Sequence, residues 1–157
     1  MVVVEQERPV TSTRTMDRPA ARPAVTRAAD DLLASSRRSL AEASLATTAG
    51  ERYAAAHLAA LRAAAAVLAA RSQPSSKRPR VRSVWVLLPQ VAVEFSEWAD
   101  FFAAGAERRA AAEAGLPCVS RREADDLVRE AGTFLTHVAD VLGPRQLSIP
   151  DSLLNAG

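Results

Sequence analysis

Between residues 25 and 142, apolar side chains recur every three to four positions, the period of helices that each bury one stripe. Over residues 25–47 the stripe is Ala29, Leu32, Leu33, Ser36, Leu40 and Ala43, with Arg27, Asp31, Arg38 and Glu42 opposite. Residues 48–72, TAGERYAAAHLAALRAAAAVLAARS, are apolar on most of the circumference and contain no glycine or proline after Gly50 until the segment ends. Such a helix is buried among others, and its alanines let neighbours approach closely. Thr48 followed by Glu51 has the spacing of a capping box, so the helix starts there. The turn over residues 46–50 is short, which predicts an antiparallel helical hairpin.

Residues 84–113 carry Leu88, Val91, Ala92, Phe95, Trp98, Ala99 and Phe102 on one face. Pro89 is expected to divide this stretch, with a short turn ending near Leu88 and a new helix opening on the proline. Gly105 is expected to bend or interrupt it. A second capping box, Ser120 with Glu123, opens the last helix, whose stripe runs from Ala124 through Leu127, Val128, Ala131, Phe134, Leu135 and Val138 to Val141 and Leu142. Gly143 and Pro144 stop it. The expectation is an all-α, up-and-down bundle of four to five antiparallel helices over residues 25–143. Residues 1–24 read as a disordered tail, residues 144–157 as a flexible one, and residues 73–83 as a polar, proline-broken loop.

Composition sharpens this picture. Hydrophobic residues make up 48% of the chain but aromatic ones only 4%, so the core is built of Ala, Leu and Val. β-branched runs are nearly absent beyond Val2–Val4, which argues against a sheet. The single cysteine, Cys118, rules out an internal disulfide and a cysteine metal cage. The N-terminal residues lack the form of a secretory leader, and the longest apolar run, residues 63–70, is too short for a membrane span. A cytoplasmic protein is the expectation. Charge is uneven: through Ser83 there are 14 basic against 7 acidic residues, and from Val84 onward 6 against 11. The densest positive run is Lys77, Arg78, Arg80 and Arg82, with Arg71 just before it. Phosphate contacts are the chemistry such a cluster suits, although no aromatic is interleaved for base stacking.

Three stretches carry a family resemblance: LLASSRRSLAEASLATTAGERYAAAHLAALRAAAAVLAAR, SVWVLLPQVAVEFSEWADFFAAGAERRAAAEAG and SRREADDLVREAGTFLTHVADVL. Together they resemble a HEPN domain (higher eukaryotes and prokaryotes nucleotide-binding), of the short stand-alone, SAV-type actinobacterial kind. The resemblance implies a helical bundle, usually a homodimer. It also implies either a metal-independent ribonuclease marked by Arg, four to six residues, then His, or a non-catalytic nucleotide-binding, regulatory or scaffolding module. Small HEPN proteins often work with a partner encoded nearby.

Arg52 and His57 match the hallmark spacing. An imidazole can take the proton of a ribose hydroxyl while a guanidinium steadies the phosphate. However, five positions on a regular helix turn the two side chains roughly 140° apart. The pair also lies in the second helix rather than late in the bundle. His57 shares a face with Tyr53, Ala60, Ala64 and Leu68, which favours a hydrogen-bonded packing histidine. His137 holds the later position, but its nearest upstream arginine is Arg129, eight residues away; it reads as a solvated surface histidine beside Thr133, Thr136 and Asp140. Carboxylates at Glu94, Glu97 and Asp100, and at Asp125, Asp126 and Glu130, lack a histidine at ligand spacing, so no metal site is expected. No cofactor motif is present. The expectation is a non-catalytic HEPN-like module binding nucleic acid, a nucleotide, or a protein that handles one, through Arg71, Lys77, Arg78, Arg80 and Arg82. The alternatives are a ribonuclease using Arg52 and His57, and a purely structural dimerisation protein.

Overall fold

The computed structural model describes residues 21–72 and 83–143. Lys77, Arg78, Arg80 and Arg82, and both terminal tails, lie outside these residues. Among the described residues six α-helices follow one another: α1 (Ala21–Leu45), α2 (Ala49–Arg71), α3 (Val84–Val91), α4 (Ser96–Ala104), α5 (Ala106–Glu113) and α6 (Arg121–Leu142), with a 3-10 turn over Val93–Phe95. Among the described residues there is no strand, and the all-α expectation is met.

The first helix begins at Ala21, four residues before the predicted start. Pro23 falls in its first turn, where its missing N–H has no intrahelical partner to lose. α1 and α2 form the antiparallel hairpin that the short turn predicts. Ser36 Oγ donates to Ala59 O at 2.7 Å, and Arg62 Nη1 donates to Ser39 Oγ at 2.5 Å. Both serines are fully buried, so these bonds satisfy hydroxyls that burial would otherwise leave unpaired. Close approach follows from small side chains at the seam: Ala43, Ala56, Ala59, Ala60 and Ala63 have no exposed surface.

α2 is the central helix, in contact with α1, α3, α5 and α6. By length and composition alone it would also pass as a membrane span, which the length of its longest uninterrupted apolar run does not reveal. Its buried residues run from Tyr53 to Val67, which marks it as a core helix. At its start Thr48 Oγ1 accepts from Glu51 N at 3.2 Å, but Glu51 does not close the box. Its carboxylate instead lies 3.4 Å from Thr47 Oγ1.

The break predicted at Pro89 comes three residues later. α3 runs through the proline, losing the one hydrogen bond that residue 89 would have donated to Trp85 O. Its buried Trp85 and Leu88 hold the short helix in place. The chain leaves helical geometry at Ala92 (φ −150°, ψ 78°), and the 3-10 turn then sends Phe95 inward. The few aromatic residues meet here: Trp85 stacks on Phe102 with centroids 5.1 Å apart, and Phe134 of α6 lies 5.3 Å from Phe102 and 5.6 Å from Phe95. Past Gly105, α5 ends in a Schellman motif, with Gly115 at φ 78°, its N–H on Ala112 O and that of Leu116 on Ala111 O. Ser120 and Glu123 form the complete capping box of α6.

Candidate functional site

The buried histidine of α2 sits where three helices meet. His57 is 1% exposed, and its Nε2 lies 2.8 Å from Phe102 O, in the last turn of α4. A carbonyl only accepts, so Nε2 carries the proton and Nδ1 holds the lone pair. Nδ1 is buried with no hydrogen-bond partner among the described residues. Trp85 and Phe102 close around the ring edge-on, with centroids 5.8 and 5.9 Å away. Desolvation by this surrounding lowers the pKa below the ordinary histidine value, outweighing the bond to Phe102 that favours the charged form. His57 is thus a neutral, packed imidazole.

Arg52 turns elsewhere. Its Nη2 donates to Ala46 O at 3.3 Å and its Nη1 pairs with Asp125 at 3.3 Å, so it ties the α1–α2 turn to α6. The structure does not bring Arg52 and His57 together around a shared space, as the helical angle between them implies. Arg71, at the end of α2, pairs with Glu94 at 2.5 Å and points a second contact of 3.5 Å at Val91 O. It pins the 3-10 turn to the central helix, leaving it less free for a phosphate. A hydrogen bond from its own backbone N–H, with the bond from Arg71 added to it, holds the Glu94 carboxyl below its usual range. His137 is exposed as expected but not purely solvated: its ring lies edge-on to Trp98 at 5.9 Å. No group of three or more His, Cys, Asp or Glu able to hold a metal ion occurs among the described residues.

Beside His57 opens a cleft of ≈ 580 Å³ between α2, the α4–α5 junction and α6. Tyr53 and His57 form its floor, Phe101 and Gly105 one wall, and the first turns of α6 the other. Tyr53 is 6% exposed, and its hydroxyl lies against Gly105, where a Cβ would stand only 2.8 Å from the oxygen. Glycine is therefore required for the tyrosine to reach this point. Burial raises the hydroxyl's pKa, an effect Arg108 opposes and Glu123 adds to, so the phenol stays protonated.

Charge in the cleft is internally matched. Arg108 pairs with Glu123 at 2.7 Å, and Arg129 pairs with Asp126 one turn earlier on α6. The Ser120 backbone N–H, its hydroxyl and Arg108 together hold the Glu123 carboxyl below its usual range. Glu130 stands in the lining with no ion pair among the described residues, so the five charged groups carry net −1. The sequence reading missed this cleft. Its only local signals were Tyr53 and His57 one turn apart and a lone glycine within an alanine-rich helix.

A family model for SAV_6107-like HEPN domains matches residues 43–139, more than half of the chain, from the end of α1 to the last turns of α6. Comparison with curated proteins and with solved structures gives no match.

Proposed function

The chain belongs to the SAV_6107-like HEPN family, a group of nucleotide- and RNA-related helical modules, and on that premise we propose that it binds nucleic acid or a nucleotide without cleaving it. One observation carries the non-catalytic half of this reading: His57, the histidine at hallmark spacing, is 1% exposed with its proton committed to Phe102 O. A general base needs its lone pair within reach of the hydroxyl it deprotonates, and Nδ1 is sealed from any strand outside. Arg52 is meanwhile spent on Ala46 and Asp125.

Binding is assigned to the positive run Lys77, Arg78, Arg80 and Arg82, which follows α2 in sequence and has no acid within it. Arg71 contributes less, because Glu94 already engages it. Exposed Val86 and Val93, on α3 and the turn that follows it, support pairing of two copies. The module acts in the cytoplasm, needs no cofactor, and a protein partner that handles nucleic acid is part of the same reading.

Fluorescence anisotropy with a labelled single-stranded RNA tests it. Binding at about 50 mM salt should weaken with a log–log slope of roughly −3, the value for four neutralised phosphates on a single strand. Replacing all four basic residues by alanine should abolish binding, and the RNA should stay intact in EDTA. No binding at low salt, or cleavage that disappears in a folded His57→Ala variant, would overturn the proposal.

A further inference from the structure

The cleft beside Tyr53 has a chemistry different from that of the basic segment, and it points to a different ligand. Its volume of ≈ 580 Å³ falls in the range of small-molecule sites. Two polar groups at its floor have no hydrogen bond among the described residues: His57 Nδ1, which is enclosed, and the Tyr53 hydroxyl, on a side chain 6% exposed. Buried hydroxyls are ordinarily paired, so an unpaired one facing a cleft is a vacant donor and acceptor. The absence of a side chain at Gly105 keeps that hydroxyl in place. Phe101, 47% exposed, offers an aromatic face at the mouth, braced edge-on by Phe102 at 5.0 Å.

Electrostatics narrows the class of ligand. Both guanidiniums in the walls are occupied by carboxylates, and Glu130 is left over as an acceptor. A phosphate entering here meets net negative charge and would have to share Arg108 with Glu123 or Arg129 with Asp126. A carboxylate instead matches the N–H edge of an amino group on a flat ring, as acidic side chains match exocyclic amines of bases. We infer that this cleft binds a planar amino-heterocycle without a phosphate, its ring against Phe101, its amino group toward Glu130 and its ring acceptor on the Tyr53 hydroxyl. This inference goes beyond the proposed nucleic-acid binding and does not depend on the basic segment.

Cytidine, uridine and cytidine monophosphate are suitable probes, because the first two differ at the amino position and the third adds the phosphate. Titration of the ¹⁵N-labelled chain to millimolar ligand should shift the amide signals of Tyr53, Gly105 and Leu127 with cytidine, and less with the other two. Tyr53→Phe should weaken cytidine binding up to about tenfold while leaving the circular dichroism spectrum unchanged. Gly105→Ala, which crowds the hydroxyl, should weaken it as well. The inference is overturned if cytidine moves none of these signals, if the monophosphate binds more tightly than the nucleoside, or if folded Tyr53→Phe binds cytidine as well as the wild type. Because the variants leave Lys77, Arg78, Arg80 and Arg82 untouched, failure here is separable from failure of the RNA-binding proposal.

Discussion

Protonating His57 should loosen the fold, and the size of the effect follows from its surroundings. The folded chain holds this imidazole neutral, with its pKa pushed below the ordinary 6.5 by desolvation, whereas the unfolded chain titrates near that value. As the pH falls, the unfolded state therefore takes up the proton first. The stabilisation is complete above pH 6.5 and is lost progressively below it, until the folded state too becomes protonated. One proton bound only by the unfolded chain gives a limiting slope of about 1.4 kcal/mol per pH unit. Stability at pH about 5.5 should then lie up to about 1.4 kcal/mol below that at neutral pH. The other lowered groups, Glu94 and Glu123, act in a separate window. Their contributions persist above their ordinary value of 4.5 and vanish only as the pH falls through their folded values. Urea unfolding at several pH values, in wild type and His57→Gln, isolates the effect, since the glutamine amide can still donate to Phe102 O but cannot titrate. Equal pH slopes in the two proteins would refute the reasoning.

Two stability measurements probe the rest of the core. Phe134→Ala removes a fully buried ring that touches Trp85, Phe95, Trp98 and Phe102, and should cost about 3–5 kcal/mol in denaturant unfolding. Ser120→Ala breaks the reciprocal cap of α6 and should cost about 1 kcal/mol, whereas Thr48→Ala, which loses a one-sided cap, should cost less.

Local signals in the sequence were reliable where a single helix decides the outcome. The stripe of α6 and its Ser120–Glu123 cap appear in the structure as read, apart from Val141, which is 43% exposed near the free end of the helix. The central position of α2 was legible because its alanine-rich circumference has nowhere else to go. Pro89 misled because a helix of eight residues forfeits only one bond to it, and the buried Trp85 and Leu88 outweigh that loss. Glu51 misled because Thr47, adjacent to the cap, competes for its carboxylate. The divergence of Arg52 and His57 followed from helical geometry alone. The cleft did not, since Tyr53, Gly105, Arg108 and Glu130 come from three distant parts of the chain and meet only after α4, α5 and α6 fold back on α2. A basic segment attracts notice through its own density; a cleft whose charges are matched across helices leaves no such mark.

The tautomer and exposure of the His57 ring test the central claim most directly, because the proposed non-catalytic reading rests on the sealed imidazole. A long-range ¹H–¹⁵N spectrum near neutral pH should show the Nε2–H form, with its proton protected from exchange with water and the ring not yet titrating at pH 6.5. A ring that exchanges freely and titrates with a midpoint near 6.5 would place His57 in solvent and contradict the account.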